Sequence, residues 1–124
     1  MLVTDASTPA GAAPGRYALG EQAVDLTGDG RVVLAGTGTL AGSALNMRRG
    51  VENLMRIAGL SLADAVRMAT VNAARAGRVP GRERGLAVGE RADFVQFRFD
   101  GARVEVMETW LGGRRVYPRT AGHS

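Results

Sequence analysis

Short apolar runs broken by glycine occupy residues 2 to 35 and 92 to 117, whereas residues 43 to 77 keep apolar positions at helical spacing. The alternation predicts strands, then helices, then strands again. Leu2-Val3-Thr4-Asp5-Ala6 runs from β-formers straight into a carboxylate, and Pro9, Gly11, Pro14 and Gly15 follow it. This reads as a strand ending at Asp5, with the chain turning away behind it. Tyr17-Ala18-Leu19, Gln22 to Leu26 and Arg31 to Ala35 read as further short strands, the last two joined through Gly28-Asp29-Gly30. A Gly-rich stretch from Gly36 to Gly42 leads into Ser43, which is placed to cap a helix.

In that helix Leu45, Met47, Val51, Leu54, Met55 and Ala58 share one face and leave Arg48, Arg49, Glu52 and Arg56 in water. Gly59 ends it, and Ser61 with Asp64 opens a second helix in capping-box spacing. Leu62, Ala65, Val66, Ala69 and Ala73 continue the apolar stripe, and Asn72 is expected to cap a last turn that stops at Gly77. Residues 78 to 91 are polar and turn-prone. The strands 92 to 99 and 103 to 110 join through Asp100-Gly101, and Gly112-Gly113 turns into Arg114-Arg115-Val116-Tyr117 before Pro118. No repeat and no linker between independent domains is visible. The tail through His123 is expected to be disordered.

Composition narrows the classes. The chain has 124 residues, 45% hydrophobic and 23% charged, which suits a globular domain or a piece of one. Its 16 basic residues are all arginine against 12 acidic residues, and they are scattered without a stripe or interleaved aromatics, so nucleic-acid binding is not expected. No run of about 18 apolar residues suggests a membrane span. No leader peptide is read at Met1, and there is no cysteine, so a cytoplasmic setting is expected.

Several apparent motifs fail on spacing. Asp25-Leu26-Thr27-Gly28-Asp29-Gly30 opens like a calcium loop, but Gly36 stands where the bidentate glutamate belongs and strands flank it. Gly36, Gly38 and Gly42 miss the dinucleotide-binding spacing by one. His123 is the sole histidine, so neither a metal centre nor a base for Ser43 as nucleophile is read within the chain. Asp5 remains. The C-terminal edge of a strand is where α/β proteins usually carry chemistry, although an aspartate capping a turn fits these residues as well.

The order of the motifs adds a resemblance. Thr4-Asp5-Ala6 with Pro9-Ala10-Gly11, then Gly38-Thr39-Leu40-Ala41-Gly42-Ser43-Ala44-Leu45, then Gly59 to Ala65 with Met68-Ala69-Thr70, and finally Gly89-x-x-Ala92-Asp93-Phe94-Val95 before Gly112 to Tyr117, resembles the C-terminal part of N-acetylglucosamine-6-phosphate deacetylases. These are metal-dependent amidohydrolases, and the resemblance covers about residues 1 to 118. It implies an α/β fold that is the C-terminal remnant of a (β/α)8 barrel, its last strand and following helices, together with β-hairpins of a small β-sandwich domain. Residues 1–91 would be the barrel part, with an inserted hairpin at 17–35 and helices at 44–77. Residues 92–118 would belong to the sandwich, and 119–124 to the tail.

The same resemblance implies that Asp5 is the catalytic acid/base. It would work with a divalent metal, zinc or similar, to activate a water that attacks the acetamide carbonyl. Leu40, Ala41 and Gly42 would lie against the substrate, an amino sugar phosphate. The metal ligands of the family lie upstream of this segment and are absent from the chain, and Ala73 stands where the family usually has proline. The chain alone is therefore expected to be inactive and marginally stable, oligomeric or aggregation-prone. Its expected partner is the missing barrel half or a second copy. Two other readings stay open: an amidohydrolase of another acylated amine or cyclic amide, and a non-catalytic module that binds a partner chain.

Overall fold

In the computed structural model, residues 1–118 are described. The chain divides into two compact units, one of residues Val3–Gly50 and one of Met1–Leu2 with Val51 onward.

The unit 3–50 is built on a four-stranded antiparallel sheet in sequential order, β1 (Gly15–Leu19), β2 (Gln22–Leu26), β3 (Arg31–Leu34) and β4 (Leu40–Ser43). The first three match the expected short strands, and β2 with β3 the expected hairpin. Leu19 faces Gln22 across a two-residue turn in which Gly20 takes φ 60, a left-handed value that glycine adopts without a Cβ penalty. Between β2 and β3 the Arg31 amide donates to Thr27 Oγ1 at 3.0 Å, and Arg31 Nε donates to Asp29 Oδ2 at 2.8 Å. Asp25 accepts from Arg16 Nε at 2.9 Å and from the Gly36 amide at 3.3 Å. The segment with calcium-loop spacing is thus a hairpin whose carboxylates are used inside it. Val24, Leu26 and Val32 form the buried cluster, with Tyr17, Leu19, Leu34, Ala41 and Ala44 packed around it.

In the second unit, helix α1 (Met47–Ala58) contributes from Val51 onward, followed by α2 (Leu62–Ala69) and α3 (Val71–Ala76). Ser61 caps α2 by accepting from the Asp64 amide at 3.1 Å, and Gly59 at φ 66 closes α1, both as the sequence predicts. The expected cap at Asn72 is not formed. Asn72 lies inside α3, which begins after Thr70, because α2 and α3 follow each other with one residue between them. Glu52, expected in water, is half-buried and accepts from the Val104 amide at 2.9 Å. Val51, Ala65 and Val104 are the buried centre, with Leu54, Leu62, Val66, Ala69 and Phe97 around them.

The last three strands, β5 (Phe94–Phe99), β6 (Val104–Leu111) and β7 (Arg114–Tyr117), form an antiparallel sheet in sequential order. A register shift between Gln96 and Phe97 explains why the apolar alternation there is irregular: Phe94 and Phe97 are both half-buried although three residues apart. Phe94 stacks on Trp110 across the strands, ring centroids 5.5 Å apart. The expected disordered tail at 119–124 lies outside the described residues. No helix among the described residues is long and apolar enough to cross a membrane.

Asp93 ties the polar stretch 78–91 to this sheet. Its carboxylate accepts from the Gly112 amide at 2.7 Å in the β6–β7 turn, from Arg82 Nε at 2.6 Å, and pairs with Arg91 at 3.0 Å. The Gly112 amide first, then the two guanidiniums, hold its pKa below the ordinary carboxylate value. A depressed folded pKa gives stability that is complete above the unfolded value, about 4, and is lost as pH falls through the folded one. Protection of the Gly112 amide against hydrogen exchange should therefore hold above about pH 4 and fall at more acid pH. In Asp93→Ala it should be low throughout, and a protection factor unchanged by acid or by the substitution would contradict this role.

Candidate functional site

Residues 2 to 6 do not form the expected strand ladder. Among the described residues they contribute one isolated parallel bridge, Ala6 to Ser43, and the Leu2 amide donates to Met68 O at 2.8 Å. At Asp5 the backbone is left-handed, φ 50, and the chain turns out of its extended run there. Aspartate is among the few residue types that tolerate the conformation.

The bonds on either side of this turn run to one residue 38 positions away in sequence. Ser43 Oγ donates to Thr4 O at 2.9 Å, just before Asp5. Just after it, Ser7 donates twice to Ser43 O, through its amide at 2.8 Å and its hydroxyl at 3.0 Å. Further bonds from the Ala10 amide to Ser7 O and from the Ala12 amide to Pro9 O curl the following loop around Pro9, which is fully buried. The Asp5 side chain is exposed, and no hydrogen bond or ion pair engages its carboxylate among the described residues.

Ser43 thus has a different role from the one its neighbours suggest. It ends β4, and its hydroxyl accepts from the Leu45 amide at 3.1 Å while donating to Thr4. The helix starts later than predicted, and Asn46 caps it by accepting from the Arg49 amide at 2.9 Å. Asn46 is of a capping type and stands three residues before Arg49, so its role was readable. Nothing local marked Ser7, since its partner is distant in sequence.

The candidate substrate residues Leu40, Ala41 and Gly42 form most of β4, which the sequence presented as loop. Gly42 pairs with Val32 and Leu40 with Val33, so Ala41 is the extra residue of a β-bulge. Leu40 is 66% exposed, whereas Ala41 packs against the Val24 cluster. At Gly42 space is decisive. A Cβ there would lie 2.6 Å from Ser7 Oγ and 3.0 Å from Ser7 Cβ, so glycine is what lets the segment after Asp5 lie against β4.

The structure therefore brings the Asp5 segment alongside β4, with Ser7 and Ser43 as the joints. A lone exposed carboxylate can take up and hand on a proton, but it cannot hold a metal by itself. Among the described residues, no three His, Cys, Asp or Glu side chains come together as a metal site. The residues present do not fit a resident metal.

Residues 37–117 match the amidohydrolase family, and the chain belongs to that family. Within it, the chain resembles N-acetylglucosamine-6-phosphate deacetylases over nearly its whole length. It is 34% identical over 117 residues to the N-acetylglucosamine-6-phosphate deacetylase of Danio rerio, covering 94% of this chain and 28% of that protein. A putative N-acetylgalactosamine-6-phosphate deacetylase of Escherichia coli K12 is 34% identical over 114 residues, 92% of this chain and 65% of that protein. The crystal structure of N-acetylglucosamine-6-phosphate deacetylase from Pasteurella multocida superposes with a TM-score of 0.80 at 29% identity, over 91% of this chain and 28% of the other. The mixed α/β architecture agrees with that structure, and the chain spans less than two thirds of each of these proteins.

The close approach at Gly42 makes a separable prediction. Gly42→Ala should displace the Ser7 hydroxyl and weaken protection of the Ser7 amide by about 1–3 kcal/mol, the usual range for overpacking. Adding Ser7→Gly should recover part of the loss, and equal protection in the wild type and Gly42→Ala, measured by hydrogen exchange, would show that the contact is not tight.

Proposed function

We propose that this chain is the acid/base-bearing part of an amidohydrolase that hydrolyses the N-acetyl amide of an amino sugar phosphate. The lead substrate is N-acetylglucosamine 6-phosphate, and the products are acetate and glucosamine 6-phosphate. The observation that carries the reading is Asp5 itself: an exposed carboxylate with no partner among the described residues, on a left-handed turn beside the strand Leu40–Ser43. Supporting it is the similarity to deacetylases at 34% identity over 94% of the chain.

In this reading Asp5 takes a proton from the attacking water as the oxygen adds to the amide carbonyl. It then returns the proton to the nitrogen as the C–N bond breaks, so acetate and the free amine leave. Leu40, Ala41 and Gly42 would lie against the substrate, where the bulge at Ala41 re-aims the backbone and Gly42 lets Ser7 pack beside the strand. The segment 2–6 would be the last strand of a (β/α)8 barrel, and 92–118 part of a β-sandwich. A divalent metal, as the family suggests, would supply Lewis-acid chemistry, but its ligands are not furnished by the described residues.

The rest of the catalytic body, whether in the same polypeptide or in another, would therefore complete the site. Two small buried clusters of three residues each support the need for more protein against which to pack. The same observation favours a second reading, a partner-binding module that has kept the fold without the chemistry.

Assembly of the chain with the remaining portion of an amidohydrolase separates the two. Acetate release from N-acetylglucosamine 6-phosphate should appear on assembly, and Asp5→Asn should lower turnover by about 10²–10⁴-fold, the usual contribution of a positioned acid/base, while substrate still binds. Turnover that survives Asp5→Asn would remove Asp5 from the chemistry, and an assembled protein without turnover would favour the binding module.

A further inference from the structure

We infer that Ser43 and Ser7 are positioning residues for Asp5: together they clamp the backbone on both sides of it and set the direction of its carboxylate. The inference rests on the reading of Asp5 as acid/base. Three observations carry it. The residues flanking Asp5 are bonded while its carboxylate has no partner among the described residues: Thr4 O receives the Ser43 hydroxyl at 2.9 Å, and Ser7 gives both its donors to Ser43 O at 2.8 and 3.0 Å. The residue between these anchors sits at φ 50, outside the region its unconstrained backbone favours. Finally, Gly42 leaves no room for a Cβ under Ser7, so the clamp closes only because that neighbour is glycine.

A left-handed aspartate held from both sides is a common way to keep a reacting group in one orientation, because strained conformations persist where the surroundings over-determine them. The hydroxyl of Ser43 is engaged twice, donating to Thr4 O and accepting from the Leu45 amide, so its orientation is fixed in turn. Through Ser43, the terminal residue of β4, the carboxylate is also coupled to Leu40, Ala41 and Gly42. A displacement of the strand by substrate would reach Asp5 through these bonds.

The test uses the full 124-residue chain as wild type, Ser43→Ala, Ser43→Thr and Ser7→Ala, both by itself and assembled with the remaining amidohydrolase portion. Three-bond NMR couplings across Asp5 report its φ. They should be left-handed in the wild type and in Ser43→Thr, which keeps the hydroxyl, and should average toward extended values in both alanine variants. In the assembled protein, kcat should fall about 10–100-fold in Ser43→Ala, the scale of a misplaced reacting group, with KM little changed and recovery in Ser43→Thr.

Couplings that stay left-handed in both alanine variants overturn the inference whatever the activity. If Ser43→Ala fails to fold, Ser7→Ala decides, since it removes one hydroxyl and leaves the Ser7 amide bond; unfolding of Ser7→Ala as well would make the pair determinants of the fold and overturn the positioning role. Couplings that respond as expected in an assembled protein without turnover leave the clamp standing and overturn the proposed function instead.

Discussion

The Ser43 carbonyl and hydroxyl are the junction on which the candidate site depends. Three hydrogen bonds join this one residue to Thr4 and Ser7. A left-handed turn at a residue with a Cβ costs roughly 1–2 kcal/mol, and a net hydrogen bond contributes about 1 kcal/mol. Three bonds are therefore enough to hold Asp5 where it is, with little to spare, and the loss of one brings the two sides near balance. This is why the junction can hold Asp5 in one conformation and still be sensitive to a single hydroxyl.

That junction also explains how the unit 3–50 is put together. The antiparallel sheet ends at β4, and among the described residues the further pairing beyond β4 is the parallel bridge to Ala6. Glycine at position 42 permits the approach, and the bulge at Ala41 turns the strand while its side chain remains against the Val24 cluster. The second unit is held by different means. Asp93 gathers an amide and two guanidiniums, and Glu52 reaches the Val104 amide, so half-buried carboxylates accept from backbone donors.

Much of this was legible in the sequence, and for local reasons. The turns at Gly28-Asp29-Gly30, Asp100-Gly101 and Gly112-Gly113, the cap at Ser61 and the stop at Gly59 depend on residues within a few positions of each other. Three of the differences share a cause, a partner distant in sequence. Ser43 looked like a helix cap because a serine before an apolar periodic run satisfies the local rule, but it ends β4 with its hydroxyl donating to Thr4, 39 residues away, and Asn46 caps the helix. The segment 2–6 reads as a strand by its composition, whereas among the described residues it makes one bridge, and the bonds flanking Asp5 run to the same distant residue. Glu52 looked solvated by its place on the helix and is claimed by β6, 52 residues on. At the candidate site the residue types of Asp5 and Gly42 could be read, while the role of Ser7 could not, because nothing near it in the chain signals a contact 36 residues away.

The central claim is that the backbone around Asp5 is shaped by Ser43. The most direct measurement is the NMR scalar coupling transmitted through the hydrogen bond between the Ser7 amide nitrogen and the Ser43 carbonyl carbon. The account predicts a resolvable coupling together with slow exchange of the Ser7 amide. No coupling and an amide that exchanges at the rate of an unstructured chain would mean that the segment bearing Asp5 is not docked on β4, and the site as described would not exist.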